Sequence, residues 1–287
     1  MNTNKTKETI KELSISELRP FKGHPYRVVD DDEMDRLVES IEEHGVMTPI
    51  NVRPIEGGYE VISGHRRIHA AKRAGLDTIP AIEMDMTRDQ AAVALVDSNL
   101  HRERLLPSEK AFAYKLKLEA MSRQPGRPSR NVSQVGTQKR TDQIMAEEAG
   151  ESRNQIQRYI RLTNLIPPLL RMVDEERIAF TPAVVLSYLT QEEQEMLFTE
   201  IGVTLATPSL SQACRLKRLS GEGKLDEEAI IAVMAEEKPN QREKVSVPLS
   251  ALKGKVPDSY TDKQLQDYVI KAVDHYHRYL MRQREVR

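Results

Sequence analysis

The pattern of apolar residues changes near residue 107, and this change sets the fold class. Before it, short strand-like runs at 50–54, 59–63 and 79–83 alternate with amphipathic segments such as 31–45, which predicts an α+β domain. From Pro107 onward, apolar residues recur at helical spacing, which predicts an all-helical part. A chain of 287 residues with no tryptophan and four phenylalanines suits several small modules better than one large aromatic core.

The helical spacing and the breaks in it divide the chain into four predicted segments. These are an α+β domain at 10–106, a helical domain at 107–220, a linker at 221–243, and a small C-terminal unit, α/β or helical, at 244–287. In the last segment, 244–249 reads as a strand, and a long helix follows the capping-box spacing at 261–264. In this last helix Leu265, Tyr268, Ala272, Tyr276 and Tyr279 step by three or four residues, which favours an intramolecular packing face or a dimer contact. Earlier helix starts are predicted by the capping-box spacing at 87–90, by Thr190 with Glu193, and by Thr207 with Pro208 at the first helical position.

Composition excludes several classes of protein. No run of 18 apolar residues exists, so we predict no membrane span, and the first residues lack the apolar stretch of a signal peptide. The single cysteine, Cys214, fits a reducing cytosol, so we predict a cytoplasmic protein. His65 and His69 are four residues apart, but no HExxH motif or cysteine cluster accompanies them.

The charge is unevenly distributed, although the net charge is only −1. Residues 121–140 hold five Lys or Arg and residues 152–171 hold four, and neither stretch contains an acid. Two basic stretches in an otherwise acidic chain favour a local surface for a polyanion. Solvated loops and helix faces are the alternative explanation.

A glycine and two arginines stand where a strand-like stretch runs into a helix, in VISGHRRIHAAKRAG at 61–75. Gly64 permits close approach to the backbone, and the first turn of a helix offers free N–H groups and a partial positive charge. Arg66 and Arg67 add donors that grip phosphate. The junction therefore predicts an anion site, and the alternative is an ordinary helix start with two solvated arginines.

Residues 141–162 have the spacing of a helix-turn-helix. Ala146 is small where two helices would cross, Gly150 falls at the turn, and Ile156 and Tyr159 would anchor the second helix. That helix presents polar side chains that can contact base edges or phosphates. The predicted DNA-binding residues are Ser152, Arg153, Asn154, Gln155, Gln157, Arg158 and Arg161. An ordinary helical hairpin is the alternative.

Taken together, roughly 200 of the 287 residues resemble the ParB/Spo0J/RepB partition-protein family. The resemblance runs from about Leu13 to Leu219, with its motifs in the family's order. They are HPYR at 24–27, GVMTPINVRP at 45–54, SGHRRIHAAKRAGLDTIPAIE at 63–83, SNLHRERLLPSEKA at 98–111, and SRNQIQRYIRLTNLIPPLL at 152–170.

The resemblance implies a ParB/sulfiredoxin-like first domain that binds CTP with Mg²⁺, Asn99 helping to hold the metal. The nucleotide-binding residues that it implies are Gly45, Val46, Gly64, His65, Arg66, Arg67, Ile79, Pro80, Asn99 and Arg102. It further implies a homodimeric, CTP-responsive clamp on a centromere-like site in double-stranded DNA. Such a protein would be associated with the nucleoid or a plasmid, would act in segregating a chromosome, plasmid or mobile element, and would have a ParA-type ATPase as partner.

Two departures from the family pattern leave hydrolysis open. His65 stands where the family has a glutamate, and Ser98 stands where the family needs a glutamate for CTP hydrolysis. Asp97 is adjacent, but successive residues on a helix point about 100° apart. The alternative function is therefore a ParB-like transcriptional regulator with a non-hydrolysing nucleotide site.

Two enzyme classes on the same fold are disfavoured. A sulfiredoxin-type reaction needs a cysteine in the loop that here reads Ser63-Gly64-His65-Arg66. A nuclease needs carboxylates for its metals, and none clusters near residues 63–67 in the sequence.

Overall fold

The computed structural model describes residues 9–100, 105–123, 141–236 and 261–285. The chain divides into two compact units after Glu236. The first unit contains an α+β domain followed by a helical domain, as predicted. Among the described residues, no helix is long and apolar enough to cross a bilayer.

A five-stranded mixed sheet organises the α+β domain, with strand order β1-β5-β3-β4-β2. The strands are β1 Ile10–Ser14, β2 Leu18–Pro20, β3 Ile50–Ile55, β4 Gly58–Ser63 and β5 Thr78–Glu83. The pairs β1–β5 and β3–β4 are antiparallel, whereas β3–β5 and β2–β4 are parallel. Ile50 and Val52 of β3 are fully buried in the core of the sheet, and Asn51 between them is not, as expected from strand alternation.

Three helices accompany the sheet: α1 Asp32–His44, α2 His65–Arg73 and α3 Arg88–Leu100. The Asp31 side chain caps α1 by accepting from the Met34 N–H at 2.8 Å. The predicted capping box before α3 is confirmed, since the Thr87 N–H donates to Gln90 Oε1 at 2.9 Å and the Gln90 N–H donates to Thr87 Oγ1 at 3.3 Å.

Most of the helical domain packs around a large apolar core, and a second, smaller cluster with Tyr114, Met145, Ala146 and Ile156 holds the helix that begins at Thr141. The helices of this domain are α4 Pro107–Arg123, α5 Thr141–Ala149, α6 Arg153–Leu162, α7 Pro167–Asp174, α8 Phe180–Leu186, α9 Gln191–Thr204, α10 Leu210–Gly221 and α11 Glu227–Met234. The predicted capping box at Thr190 and Glu193 is present at the start of α9.

Two details of the helical domain differ from the sequence expectations. The predicted helix start at Thr207, with Pro208 in the first turn, is wrong: α10 begins after Ser209, which forms a capping box with Gln212. A hydroxyl with a glutamine three residues later satisfies two N–H groups, so this start is favoured. Helix α11 lies within the stretch predicted as linker, and its Ile230 is buried in the same core as the preceding helices.

In the second unit, the described residues 261–285 form a long helix, α12 Asp262–Glu285. Gln264 Oε1 accepts from the Thr261 N–H at 2.9 Å, as the predicted helix start requires. The predicted strand at 244–249 lies outside the described residues.

Candidate functional site

A pocket of about 290 Å³ opens beside the junction of β4 and α2. The loop before α1, the junction itself and the end of α3 form its wall. The lining residues are His24, Tyr26, Arg27, Val28, Ser63, Gly64, His65, Arg66, Arg67, Ser98 and Asn99. Three arginines and no carboxylate are present in this described lining, so the pocket suits an anion.

Gly64 makes the junction possible. It has φ 102° and ψ 20°, a left-handed conformation, and a Cβ added there would lie 2.5 Å from Ile50 Cγ2. Gly64 also stands at the N-cap of α2 without a capping side chain, and the Ile68 N–H donates to the Gly64 carbonyl at 3.0 Å. The N–H groups before Ile68 have no acceptor within the helix, so they are suited to binding an anion.

The two arginines at the junction are oriented differently. Arg67 Nη1 donates to the Thr48 and Pro49 carbonyls, each at 2.5 Å. Burial lowers the pKa of Arg67, but an arginine starts so far above neutrality that its charge persists. Arg66 Nη2 lies 3.2 Å from Asp31 Oδ1 and 3.5 Å from Glu33 Oε2, at the start of α1.

Two imidazoles contact each other inside the pocket, with their ring planes tilted by 41°. The ring centroids of His24 and His65 are 3.7 Å apart, and His24 Nδ1 lies 2.8 Å from the Tyr26 carbonyl. His65 Nε2 is buried without a hydrogen-bond partner among the described residues. Burial, and secondarily the proximity of His24, lowers the pKa of His65 to about 3, so His65 is neutral at physiological pH.

Arg27 connects the pocket loop to the helical domain. Its Nη2 lies 3.1 Å from Asp174 Oδ2 at the end of α7, and its backbone N–H donates to Glu109 Oε1 at 2.8 Å. Asp174 also accepts from the Ser108 hydroxyl at 2.7 Å. The loop that carries His24 and Tyr26 is thus fixed to α4 and α7.

The end of α3 contributes Ser98 and Asn99. The Ser98 hydroxyl donates to the Leu95 carbonyl at 2.9 Å, and Asn99 Nδ2 donates to the same carbonyl at 2.9 Å. Because its amide nitrogen is engaged there, Asn99 has an amide oxygen suited to a cation. Asp97 is not in the lining; its carboxylate pairs with Lys117 instead.

The pocket contains only part of the predicted nucleotide-binding set. Gly64, His65, Arg66, Arg67 and Asn99 line it. Four others are absent from this lining: Gly45 ends α1, Val46 packs against the core, Ile79 is fully buried, and Pro80 pairs with Glu12 of β1. Arg102 lies outside the described residues.

Sequence reasoning assigned no role to His24, Tyr26, Arg27, Val28 and Ser63, which also line the pocket. The motif HPYR at 24–27 was the available signal, because a motif in a loop points to function more strongly than one in a core. Without the fold, however, nothing places that loop opposite the β4–α2 junction.

Helices α5 and α6 form the predicted helix-turn-helix. Gly150 has φ 65° at the turn, and the Glu151 N–H donates to the Ala146 carbonyl at 3.0 Å. Ala146 and Ile156 are buried together, with Tyr159 packed against them. The predicted packing of the two helices is confirmed.

The polar residues of α6 fall into two groups. Ser152, Arg153, Asn154 and Gln157 are exposed near its start, where Ser152 caps the helix and Arg153 Nε donates to Asp142 Oδ2 at 2.6 Å. Gln155, Arg158 and Arg161 are half-buried along its length. Arg158 Nη2 donates to Thr181 Oγ1 of α8 at 2.7 Å.

Both parts of this arrangement match known families. Residues 1–100 match the ParB N-terminal domain, and residues 133–205 match the ParB HTH domain. The chain is 32% identical over 170 residues to Stage 0 sporulation protein J of Bacillus subtilis, covering 59% of this chain and 54% of that protein. It is 30% identical over 200 residues to the nucleoid occlusion protein of Halalkalibacterium halodurans, covering 70% and 64% respectively.

Among solved structures, the C-terminally truncated ParB from Caulobacter crescentus, complexed to the centromeric parS site, is 23% identical to this chain. It matches with a TM-score of 0.42 over 72% of this chain and 98% of that one. The chain spans between half and two thirds of the length of the two curated relatives named above. Since it carries the ParB N-terminal domain and the ParB HTH domain in that order, the chain belongs to the ParB family.

Proposed function

We propose that this protein binds a centromere-like site in double-stranded DNA and clamps the DNA in response to CTP, in the partition of a chromosome, plasmid or mobile element. The observation that carries this proposal is an arginine-lined pocket with no carboxylate in its described lining, in the same compact unit as a helix-turn-helix. A homodimer and a ParA-type ATPase partner belong to the same proposal, and follow from the family.

The pocket residues are suited to a nucleoside triphosphate with Mg²⁺. Arg66, Arg67 and the uncapped first turn of α2 would hold the phosphates, and Gly64 lets them reach the backbone. Asn99 would offer one neutral oxygen to the cation. Mg²⁺, when bound there, would neutralise part of the negative charge of the phosphates.

Helix α4 links this pocket to the DNA-binding helices. Lys117 of α4 is buried, and its Nζ lies 2.5 Å from Asp97 Oδ1 of α3 and 2.6 Å from Glu148 Oε2 of α5. Asp97 directly precedes the pocket residues Ser98 and Asn99. A nucleotide that favours one position of the end of α3 would therefore also bias the position of α5.

A second candidate function is a ParB-like regulator whose nucleotide is not hydrolysed. The Ser98 hydroxyl is engaged by the Leu95 carbonyl, and neither Ser98 nor His65 offers a carboxylate to activate water. In this function the nucleotide would act only as a ligand. Measuring CTP turnover with and without DNA separates the two candidates.

The direct test of the pocket is CTP binding by calorimetry in the presence of Mg²⁺. We expect the wild type to bind, and Arg66→Ala to lose binding, because a phosphate donor disappears. Arg73→Ala is a matched control: Arg73 lies on the same helix and also pairs with acids near α1, at 2.8 Å from Asp30 and 2.7 Å from Asp35, but does not line the pocket. Equal affinity in wild type and Arg66→Ala would refute this site.

A further inference from the structure

An exposed tyrosine beside the DNA-binding helix holds two cationic side chains. Tyr188 follows α8 and is 48% exposed. The Arg161 Cζ lies 3.8 Å from its ring centroid, and the Lys217 Nζ of α10 lies 3.5 Å from it. The Arg161 Cζ and the Lys217 Nζ are therefore no more than 7.3 Å apart.

The arginine is positioned by neutral partners only. Arg161 Nη2 donates to the Ser187 carbonyl at 3.1 Å, and Arg161 Nε is buried without a hydrogen-bond partner. Across the described residues, neither Arg161 nor Lys217 forms an ion pair with a carboxylate. Arg158, one turn earlier on α6, likewise bonds to neutral groups of Thr181 and Gln155.

Like charges at this spacing repel, because they lie within a Debye length of about 8 Å at physiological salt. The cation–π contacts with the ring hold both charges in place nevertheless. An anion that binds both cations would relieve this repulsion. The arrangement is therefore suited to a negatively charged group.

We propose that Arg161, Tyr188 and Lys217 form a contact for the phosphodiester backbone of duplex DNA, and this inference rests on the proposed function. Arg161 follows the N-cap Ser152 by nine residues, which is about 13 Å along a helix axis. The major groove is about 12 Å wide, so when the start of α6 lies in the groove, Arg161 reaches its phosphate edge. The contact would position the protein on DNA without reading sequence.

The test measures DNA affinity of the full chain by fluorescence anisotropy at several KCl concentrations. The probes are labelled duplexes of about 24 base pairs, one of mixed sequence and one enriched by selection with the wild type. We expect Lys217→Ala to weaken binding to both duplexes by the same factor and to lower the slope of log K against log salt by about 1. Tyr188→Leu should weaken both as well, because it keeps the bulk but loses the ring that positions the cations.

Two further variants separate phosphate contact from base reading and from general effects of removing a lysine. Lys224→Ala is the matched control, since Lys224 is an exposed lysine just after α10 that pairs with Glu222 at 3.2 Å, and we expect no change. Asn154→Ala should weaken binding to the selected duplex alone, because Asn154 is exposed near the start of the recognition helix.

Each failure has its own meaning. If wild type binds both duplexes and Lys217→Ala keeps the wild-type affinity and salt slope, the phosphate contact is refuted. A loss confined to the selected duplex would refute it too, because that is base reading. Weaker CTP binding with unchanged DNA binding would assign the site to the nucleotide instead. If the wild type binds no duplex, the proposed function itself fails.

Discussion

Gly64 illustrates at the residue scale how one backbone position sets up a binding pocket. Its left-handed φ and the neighbouring Ile50 Cγ2 both exclude a side chain. Glycine is the residue that satisfies both conditions. The strand can then turn directly into α2, which places the free N–H groups and the arginines on one wall.

We expect Gly64→Ala to lower the free energy of unfolding by about 2 kcal/mol or more, because strain in φ and a steric clash add together. Gly57→Ala is the control: Gly57 has φ 76°, but nothing lies within 4 Å of a Cβ there. Gly57→Ala should lower the free energy of unfolding by only about 1 kcal/mol, because only the backbone conformation is strained. Urea unfolding measures both, and equal losses would show that the Ile50 contact is absent.

His65 gives the fold a predictable dependence on pH. In the unfolded chain His65 takes up a proton below its ordinary pKa of 6.5, but in the fold burial holds the pKa at about 3. Between these values the unfolded state binds more protons, so stability rises with pH there. The contribution is complete above pH 6.5 and is lost as pH falls toward 3.

We therefore expect wild type to lose about 1 kcal/mol more stability than His65→Gln between pH 7.5 and 5.5, because glutamine does not titrate. Urea unfolding at the two pH values measures the difference. His69→Gln is the control, since His69 is on the same helix but its side chain is 38% exposed and pairs with Asp30 at 2.8 Å. Identical pH dependence in His65→Gln and wild type would contradict the burial argument.

At the scale of elements, α4 stands between the pocket and the helix-turn-helix. Lys117 is 2% exposed, whereas its partners Asp97 and Glu148 are about half-exposed. Burial would lower the pKa of Lys117, but the hydrogen bonds to the two carboxylates outweigh it and raise that pKa. Lys117 is therefore charged in the fold and joins three helices.

We expect Lys117→Ala to destabilise the protein by about 1.5–3 kcal/mol, because it removes a buried side chain and the charged hydrogen bonds that its Nζ donates to two carboxylates. Lys115→Ala, two residues earlier on α4, removes only a 3.4 Å contact with Thr163 Oγ1 and should cost less than about 1 kcal/mol. Thermal or urea unfolding compares the two variants. A similar small loss in both would mean that Lys117 contributes no more than a surface lysine.

At the scale of the whole molecule, α12 is an amphipathic helix with a large exposed apolar face. Ile270, Val273 and Tyr276 are 60%, 61% and 61% exposed, and they recur at three-residue spacing. Burying such a face against a second copy would stabilise a dimer. This supports the homodimer of the proposed function.

We expect the full chain to be dimeric and Val273→Asp to shift it toward monomer, because a carboxylate would be buried in the apolar contact. His275→Asp is the control, since two residues along a helix point about 200° away, off this face. Light scattering coupled to gel filtration measures the mass of each. A monomeric wild type would contradict the dimer, and equal dimerisation of both variants would place it on another surface.

The sequence by itself determined the order and type of most elements, α11 excepted, because these depend on local patterns. The period of two in β3, the period of 3.6 in α1, Gly64 and Gly150 at turns, and the capping pair Thr190 and Glu193 act within a few residues of one another. The same locality allowed the helix-turn-helix and the β4–α2 anion site to be predicted. The helix start predicted at Thr207 was wrong, because Ser209 two residues later also carries a local capping signal and is the one that the structure uses.

Only the tertiary structure decided which residues share the pocket. The loop with His24 and Arg27 meets the β4–α2 junction through the contact of His24 with His65, and its Arg27 pairs with Asp174, 147 residues away in the chain. The same long-range packing buries Ile79 in the core and joins Arg161 to Lys217 across Tyr188. Such contacts depend on how separate elements pack against each other. The periodicity of apolar residues describes each element by itself and does not show which residues of distant elements come into contact.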